Sequence, residues 1–318
     1  MIAVLGAGAF GTGLAVALAN AGREVTLWAR DPGHVAAMQA DRRNTARLPG
    51  IVLPSALQVG ANLPHSADAV LLALPMQALA GALPNLAKAL DGQPIIACCK
   101  GIDLATGLGA TSLIATACPK SAVAVLTGPS FATDIANGLP TALALACHDD
   151  DTGARLQHVI STLTLRIYRT TDVTGAELGG ALKNVIAIAA GVVMGAGLGH
   201  SARAALMTRG YAEMVRTAQA LGARAETLAG LSGLGDLVLT CTSNQSRNFQ
   251  YGHAMGMGAA FDPKITVEGV ATAQAMMKLA ARHDFDLPIT AMVAALTKGE
   301  IGLQKAIQSL LSRPLKQE

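Results

Sequence analysis

The chain begins MIAVLGAGAFGTG (residues 1–13), a short apolar run followed by glycines at the spacing G-x-G-x-x-G. The Ala-rich segment at 12–21 is long enough for about three helical turns. This order predicts a strand, a tight turn and a helix. In such a unit Gly6 makes the turn, Gly8 lets a pyrophosphate approach the backbone, and Gly11 lets the helix pack closely on the strand. The free N–H groups at the helix N-terminus then favour bound phosphates.

The residues after this motif support dinucleotide binding. A lone G-x-G-x-x-G is a weak signal in a chain with 34 glycines. Gly22, however, is placed to end the helix, and residues 24–28 read as a second strand, which completes a βαβ unit. The alternatives are an apolar hairpin or a signal peptide. No basic segment precedes the apolar run and glycines interrupt it, so the pattern does not favour secretion.

The composition narrows the class of protein. The 318 residues suit two domains, and no apolar run approaches the roughly 18 residues of a membrane helix, so we expect no membrane span. The net charge is +3 and the sequence has no long basic block, so it does not predict a basic surface for nucleic acid. A modest positive charge is compatible with anionic small molecules. The five cysteines are odd in number and lack metal-ligand spacing. We therefore predict no metal site and a reducing, cytoplasmic setting.

The predicted secondary structure changes near residue 173. Before it, further apolar runs read as strands at 69–75, 94–101, 122–127, 141–147 and 165–169. They predict a Rossmann-type doubly wound, mostly parallel sheet in a dinucleotide-binding domain at 1–173. After it, the pattern predicts only helices, at 174–195, 201–221, 246–256, 267–283, 289–298 and 302–312. We therefore expect an all-α substrate and catalytic domain at 174–318.

Two basic residues follow predicted strands of the sheet. Arg30 stands at the end of the second strand, where a carboxylate suits the ribose of NAD and an arginine suits the 2′-phosphate of NADP. This position favours NADP(H), with NAD(H) possible and a solvated surface arginine as the alternative. Lys100 and Gly101 stand at the C-terminal end of the run at 94–101, at the edge where ligands collect in open α/β sheets. Lys100 is a candidate anion contact, or else a surface lysine at a turn.

Lys183 is the candidate catalytic residue of the helical half. At helical spacing it shares a broad face with Gly179, Gly180 and several alanines, which predicts a strip where a flat ligand comes close, with Asn184 beside it. A partly desolvated lysine loses preference for its charged form, as an acid–base lysine requires. The alternative is a lysine that snorkels along a packed helix. Asp236, framed by glycines, either caps a helix or pairs with a buried cation such as Lys183.

The residues Ser246, Arg247 and Asn248 form a candidate phosphate site. They stand at the start of a predicted helix, where backbone N–H groups, a hydroxyl and a planar guanidinium all favour an anion. The alternative is a polar loop that ends in a good helix cap.

Together these blocks make the chain resemble the NAD(P)-dependent glycerol-3-phosphate dehydrogenase family of the bacterial type over nearly its whole length. The matching pieces are GAGAF-G at 6–11, LWAR at 27–30, CKG at 99–101, LTGPSFA at 126–132, Glu177 through Lys183-Asn184, GLGDLVLTC at 233–241, NQSRN at 244–248 and VEG at 267–269. The glycine fingerprint alone is not specific, but the combination in this order is.

The resemblance implies a role for each matching residue. Lys183 matches the proton-transferring lysine, with Asp236 fixing it. The implied substrate contacts are Lys100, Gly128, Ser130, Lys183, Asn184, Asp236, Ser246, Arg247 and Asn248. The implied cofactor contacts are Gly6, Gly8, Ala9, Phe10, Gly11, Arg30, Lys100, Ala132, Arg247, Thr266 and Glu268. Two positions depart from the family: Phe10 stands where many relatives carry Trp or Tyr, and Thr266 replaces an aliphatic residue.

The implied reaction is reduction of dihydroxyacetone phosphate to sn-glycerol 3-phosphate, a phospholipid precursor, by a homodimer. One rival reading is a dehydrogenase for 3-hydroxy acids or 6-phosphogluconate, which shares the fingerprint but does not predict the Gln-Ser-Arg-Asn helix start at 245–248. Another is a non-catalytic nicotinamide sensor, which leaves Lys183 and Asp236 without a role.

Overall fold

Within residues 1–283 and 285–311, which the computed structural model describes, eight strands form one sheet. In chain order they are β1 (Ile2–Leu5), β2 (Val25–Trp28), β3 (Gln58–Gly60), β4 (Ala69–Leu72), β5 (Ile95–Ala97), β6 (Val123–Thr127), β7 (Thr141–Cys147) and β8 (Leu165–Thr170). Their spatial order is β3-β2-β1-β4-β5-β6-β7-β8, and neighbours are parallel except for β6 with β7. The predicted doubly wound, mostly parallel sheet is confirmed.

The register of the sheet is set by its buried centre. Ile2 of β1 lies opposite Val25 of β2 on one side and Ala69 of β4 on the other. All residues of β1 and β4 are buried, because helices cover both faces of a parallel sheet. Continuous apolar runs therefore predict these strands well. The edge strand β3 was missed, since its three residues include an exposed Gln58 and carry no apolar run.

Helices cover both faces of the sheet. They are α1 (Ala9–Asn20), α2 (Pro32–Asp41), α3 (Met76–Leu90), α4 (Ala110–Ala117), α5 (Ala132–Ala136) and α6 (Asp150–Ile160). Leu14 and Met38 belong to the core on one face, and Met76 and Leu90 to the core on the other. As predicted, Gly22 ends α1: its φ is +77°, and its N–H donates to the Ala19 carbonyl. The sheet therefore carries a separate apolar core on each side.

The second half is helical in the part that the structure describes. It comprises α7 (Val173–Gly195), α8 (Gly199–Ala220), α9 (Ala225–Ala229), α10 (Asp236–Thr242), α11 (Arg247–Gly256), α12 (Glu268–His283), α13 (Pro288–Thr297) and α14 (Leu303–Leu311). A π-helical turn at Leu231–Gly235 leads directly into α10. That turn and α10 were missed, because Gly230, Gly233 and Gly235 interrupt the helical pattern just before α10. The predicted helix at 302–312 ends outside the described residues.

Helix α7 is the central element of this half. It is 23 residues long, and its most apolar stretch of 18 residues has a mean hydropathy of 1.6, enough by length and composition to cross a membrane, but 89% of that stretch is buried inside the fold. It packs against α8, α10, α11 and α12, and it also contacts β6 and β7. Its apolar character therefore reflects burial on all sides. Since α7 packs on both halves, the domain bounds 1–173 and 174–318 stay a prediction.

Candidate active site

The glycine turn between β1 and α1 has the geometry that its spacing predicts. Gly6 has φ +117°, and a Cβ there would lie 2.5 Å from the Ala73 carbonyl oxygen. A Cβ on Gly11 would collide with the Gly6 carbonyl, so α1 packs against the turn. Gly8, by contrast, stands at the N-cap of α1 with no heavy atom within 4 Å of an added Cβ. The turn thus leaves one open face at a helix N-terminus, with Ala9 and Phe10 in the first helical turn.

A buried asparagine that sequence reasoning missed fixes this turn. Asn44 is 1% exposed, and its Nδ2 donates to the Ala7 carbonyl at 2.9 Å and to the Thr12 hydroxyl at 2.8 Å. The His34 ring lies 3.0 Å from the Asn44 Oδ1. No local pattern marks Asn44, because its partners lie far away in sequence. Its contacts hold the loop after α2 against the glycine turn and the start of α1.

The carboxyl ends of β5 and β6 bring two predicted site residues together. Lys100, which follows β5, donates to the Gly128 carbonyl at 2.8 Å and forms an ion pair with Asp236 at 2.6 Å. Gly128 follows β6 with φ +129°, and the Ser130 hydroxyl donates to the same carbonyl at 3.1 Å. Lys100 is therefore not a free surface lysine. It links the sheet to the helical half.

Lys183 and Asp236 form a buried pair. The Lys183 Nζ lies 3.1 Å from Asp236 Oδ1 and donates to the Thr240 hydroxyl at 2.7 Å. Thr240, one turn further along α10, donates to the same carboxylate oxygen at 3.2 Å. Lys183 is 7% exposed and Asp236 is 1% exposed, so the reading of a snorkelling lysine is wrong. Each oxygen of Asp236 faces one lysine, Oδ1 toward Lys183 and Oδ2 toward Lys100.

The charges in this cluster shift the titration of both partners. Burial lowers the pKa of Lys183 to about 8, with Asp236 opposing the shift and the ammonium of Lys100 adding to it. Burial by itself would raise the pKa of Asp236, but the two ammonium groups hold it below its ordinary value. At neutral pH the site therefore contains a carboxylate and a lysine poised to release its proton. This is the arrangement that an acid–base lysine needs.

The small residues beside Lys183 do not form an open strip, and that expectation is wrong. A Cβ on Gly179 would lie 2.6 Å from the Ser232 carbonyl oxygen, and one on Gly180 would lie 2.6 Å from the Thr127 hydroxyl. The two glycines let the π-helical turn and the end of β6 approach α7. Close packing, rather than access for a ligand, accounts for the small side chains on this face.

The three residues of the predicted phosphate site lie at the start of α11. The Ser246 hydroxyl caps the helix by accepting from the Phe249 N–H at 3.2 Å, as the sequence predicts. Arg247, the first helical residue, is exposed. The Asn248 side chain is half-buried and bonds within the protein at both ends: its Nδ2 donates to Asn184 Oδ1 at 2.9 Å, and its Oδ1 accepts from the Gly269 N–H at 3.0 Å.

The remaining predicted cofactor residues lie at different places around this edge. Glu268, the first residue of α12, accepts from the Met76 N–H at 3.2 Å through Oε1, while its buried Oε2 has no partner among the described residues. Burial raises the pKa of Glu268, against the opposing effects of that N–H and of Arg247. Ala132 begins α5 beside Gly13 of α1. The structure leaves Thr266 and Arg30 exposed.

The fold and the cluster of Lys100, Lys183 and Asp236 indicate a class of enzyme. A glycine turn at a helix N-terminus of a doubly wound sheet, combined with a buried lysine on a following helical half, is typical of nicotinamide-dinucleotide dehydrogenases. Comparison with family models is more specific. Residues 1–153 match the N-terminal model of NAD-dependent glycerol-3-phosphate dehydrogenase, and residues 172–308 match its C-terminal model. The chain belongs to the NAD-dependent glycerol-3-phosphate dehydrogenase family.

Individual relatives agree over the full length. The chain is 65% identical to a glycerol-3-phosphate dehydrogenase, NAD(P)+, of Cereibacter sphaeroides, over 100% of both chains. It is 58% identical to the protein of that name from Paracoccus denitrificans, over 100% of this chain and 99% of the relative. Among solved structures, the glycerol-3-phosphate dehydrogenase of Coxiella burnetii superposes with a TM-score of 0.92 at 37% identity, covering 98% of each chain.

Proposed function

We propose that this protein reduces dihydroxyacetone phosphate to sn-glycerol 3-phosphate with a reduced nicotinamide dinucleotide. The observation that carries the proposal is the buried Lys183–Asp236–Lys100 cluster at the carboxyl edge of the sheet. Membership of the family and the names of relatives that match over the whole chain support the same reaction. The product would supply glycerophospholipid synthesis.

The residues around the glycine turn fit a dinucleotide. The open face at Gly8 leaves room for a pyrophosphate against the N–H groups of α1, which include those of Ala9 and Phe10. The unpartnered Oε2 of Glu268 offers a hydrogen-bond acceptor at the other side of the edge. The further residues proposed to hold the cofactor are Gly6, Gly11, Arg30, Lys100, Ala132, Arg247 and Thr266. When bound, the reduced nicotinamide supplies a hydride to the substrate's carbonyl carbon.

Lys183 is proposed as the proton donor. As the carbonyl carbon gains its hydride, negative charge develops on the carbonyl oxygen, and Lys183 passes a proton to it to give the secondary alcohol. A pKa of about 8 leaves Lys183 protonated at neutral pH but ready to lose that proton. Asp236 holds the ammonium in place, and Lys100 adds positive charge beside the developing oxyanion.

The start of α11 is proposed as the phosphate site. Arg247 offers a planar guanidinium that matches two phosphate oxygens, and the backbone N–H groups after the Ser246 cap point outward from the helix start. Gly128, Ser130 and Asn184 line the remaining side of the proposed substrate site. This division of roles predicts that loss of Arg247 weakens substrate binding, whereas loss of Lys183 removes turnover.

The cofactor preference, assembly and location are also proposed. Arg30 is exposed at the end of β2 and has no charged or hydrogen-bonding partner within the described residues, which favours binding of the NADP 2′-phosphate over NAD alone. We further propose a homodimer that works in the cytoplasm.

The test is oxidation of NADPH, and then of NADH, by the purified protein with dihydroxyacetone phosphate. We expect turnover by the wild type and none by Lys183→Ala. Lys120→Ala, which changes an exposed lysine, is the matched control and should retain full activity. If the wild type binds either cofactor but turns over no triose phosphate, the sensor reading replaces the proposal. Turnover confined to 3-hydroxy acids would instead favour the related dehydrogenases.

A further inference from the structure

The Asn44 side chain joins three parts of the dinucleotide half. Asn44 lies in the loop between α2 and β3, and its amide contacts the glycine turn, α1 and α2. Nδ2 donates to the Ala7 carbonyl at 2.9 Å and to the Thr12 hydroxyl at 2.8 Å, while Oδ1 lies 3.0 Å from Nε2 of His34. Both N–H groups and the oxygen therefore have partners, and the 1% exposed amide is held at each end.

The chemistry of these partners fixes which way the Asn44 amide points. A carbonyl oxygen only accepts, so the Asn44 atom that faces Ala7 is the NH2 nitrogen. Oδ1 then faces the His34 ring, so the Nε2 of that ring carries a hydrogen. An imidazole can donate from Nε2 in both its neutral and its charged form. The orientation of Asn44 is therefore independent of the protonation of His34.

The bond to the Ala7 carbonyl also sets the direction of the next backbone N–H. The Ala7 carbonyl and the Gly8 N–H belong to one trans, planar peptide unit, so the two groups point in opposite directions. Asn44 occupies the carbonyl side of this unit. The Gly8 N–H has no acceptor among the described residues, and an added Cβ on Gly8 would meet no heavy atom within 4 Å. The turn therefore holds a free donor beside its open face.

We propose that Asn44 is a positioning residue for the cofactor, which directs the Gly8 N–H toward the pyrophosphate by holding the Ala7 carbonyl. The inference rests on the proposed function, in which this turn binds a dinucleotide. A hydrogen bond at the carbonyl also polarises the N–H of the same peptide unit and makes it a better donor. Asn44 itself does not touch the cofactor, because both of its N–H groups are engaged within the protein.

Binding titrations of the purified full-length protein test this role in the absence of substrate. Calorimetry gives the Kd of NADH and of NADPH for the wild type and for Asn44→Ala. We expect both Kd values to rise by a similar factor, roughly 10-fold, because the pyrophosphate is common to both cofactors and a hydrogen bond to a charged group is lost. At saturating cofactor, kcat and the KM for dihydroxyacetone phosphate should stay within about threefold of the wild type.

Two matched controls remove the other contacts of Asn44 and leave the Ala7 carbonyl bonded. Thr12→Val removes the acceptor of the second N–H, and His34→Ala removes the donor to Oδ1. Both should lower the melting temperature and change each Kd by less than about threefold. Asn44→Asp is a second variant with the native shape. Its carboxylate accepts from His34 but cannot donate to Ala7, so it should weaken binding at least as much as Asn44→Ala.

The proposal is overturned if both Asn44 variants bind the cofactors as tightly as the wild type, or if the two controls lose as much affinity, since Asn44 would then only stabilise the fold. A loss confined to NADPH would also overturn it, because the loop would then act at the 2′-phosphate. A wild type that binds neither cofactor overturns the proposed function first, and this role with it. Binding without triose phosphate turnover overturns the proposed reaction alone.

Discussion

Burial and charge act in opposite directions on the side chain of Lys183. Its surroundings disfavour the ammonium, while the Asp236 carboxylate favours it, and the balance brings the pKa to about 8. Lys100 occupies the other carboxylate oxygen and repels Lys183 at the same time. The acid–base behaviour of the site is therefore set by three charges and not by the lysine alone.

The first prediction concerns the pH dependence of reduction. Because Lys183 must be protonated to donate, kcat should be level at low pH and fall about tenfold per pH unit once the pH rises above about 8. Asp236→Asn removes a charge that raises the pKa of Lys183, so the fall should begin at lower pH. Lys100→Met removes a charge that lowers this pKa, so the fall should begin at higher pH. Profiles of kcat against pH for the wild type and the two variants give the three midpoints. Equal midpoints would contradict the assignment of Lys183 as the proton donor.

The second prediction concerns Arg30 and the choice of cofactor. Arg30→Ala should reduce kcat/KM for NADPH by roughly 10-fold or more and leave that for NADH nearly unchanged, since a hydrogen bond to a charged group contributes about 1.5–3 kcal/mol. Initial rates with each cofactor give the ratio. Arg23→Ala, which removes a partly exposed arginine that binds backbone carbonyls near α6, is the control. An equal loss with both cofactors would argue against a 2′-phosphate contact.

At the scale of elements, the crossing of α7 and α11 brings the proposed phosphate site at the start of α11 against the helix that carries Lys183. Glycines on both helices let the backbones touch: Gly191 lies against the Phe249 carbonyl, and Gly252 lies against the Ile188 carbonyl. A backbone carbonyl has no alternative rotamer by which to move away. Any added side chain here must push the helices apart.

The third prediction uses this crossing. Gly252→Ala should lower the free energy of unfolding by about 1–3 kcal/mol through overpacking, and should lower kcat/KM because α11 begins at Arg247. Gly81→Ala is the matched control: it lies in α3 with nothing within 4 Å of a new Cβ, and should raise stability by about 0.5–1 kcal/mol. Urea unfolding of both variants makes the comparison. If Gly252→Ala were as stable as the wild type, the crossing of α7 and α11 would have space for a methyl group.

At the scale of the whole molecule, Glu177 anchors the helical half to the sheet. This α7 residue accepts from the Thr111 N–H at 2.8 Å and from the Thr111 hydroxyl at 3.2 Å, at the start of α4. Burial raises the pKa of Glu177, against these donors. A Cβ on Gly109 would overlap the Glu177 carboxylate, so a side chain there would displace that carboxylate from Thr111.

The fourth prediction separates the shape of Glu177 from its charge. Glu177→Ala leaves the Thr111 N–H without its acceptor and should cost about 1–3 kcal/mol of unfolding free energy. Glu177→Gln should cost less, because its carbonyl still accepts from the N–H and its NH2 group donates to the Thr111 hydroxyl. Urea midpoints of the two variants test the order. A glutamine variant as unstable as the alanine variant would mean that the charge itself is required.

The sequence by itself determined the features that depend on neighbouring residues. Continuous apolar runs predicted β1 and β4, the glycine spacing predicted the turn at Gly6 and the close helix packing at Gly11, and Ser246 predicted the start of α11. Each signal is local, because strand period, turn conformation and helix capping are settled within a few residues. Lys183 and Asp236 were candidate partners for the same reason: an ionisable residue among small or apolar neighbours is unusual wherever it occurs.

Only the tertiary structure decided how distant residues share their bonds. Asp236 divides its two oxygens between Lys100 and Lys183, Asn248 bonds to the Asn184 side chain, and Gly179 makes room for the π-helical turn instead of a ligand. Lys100 and Asp236 are 136 positions apart, and no local pattern couples them. These contacts are set by the order of strands and the crossing of helices, which bring remote groups within hydrogen-bond distance after the local elements have formed.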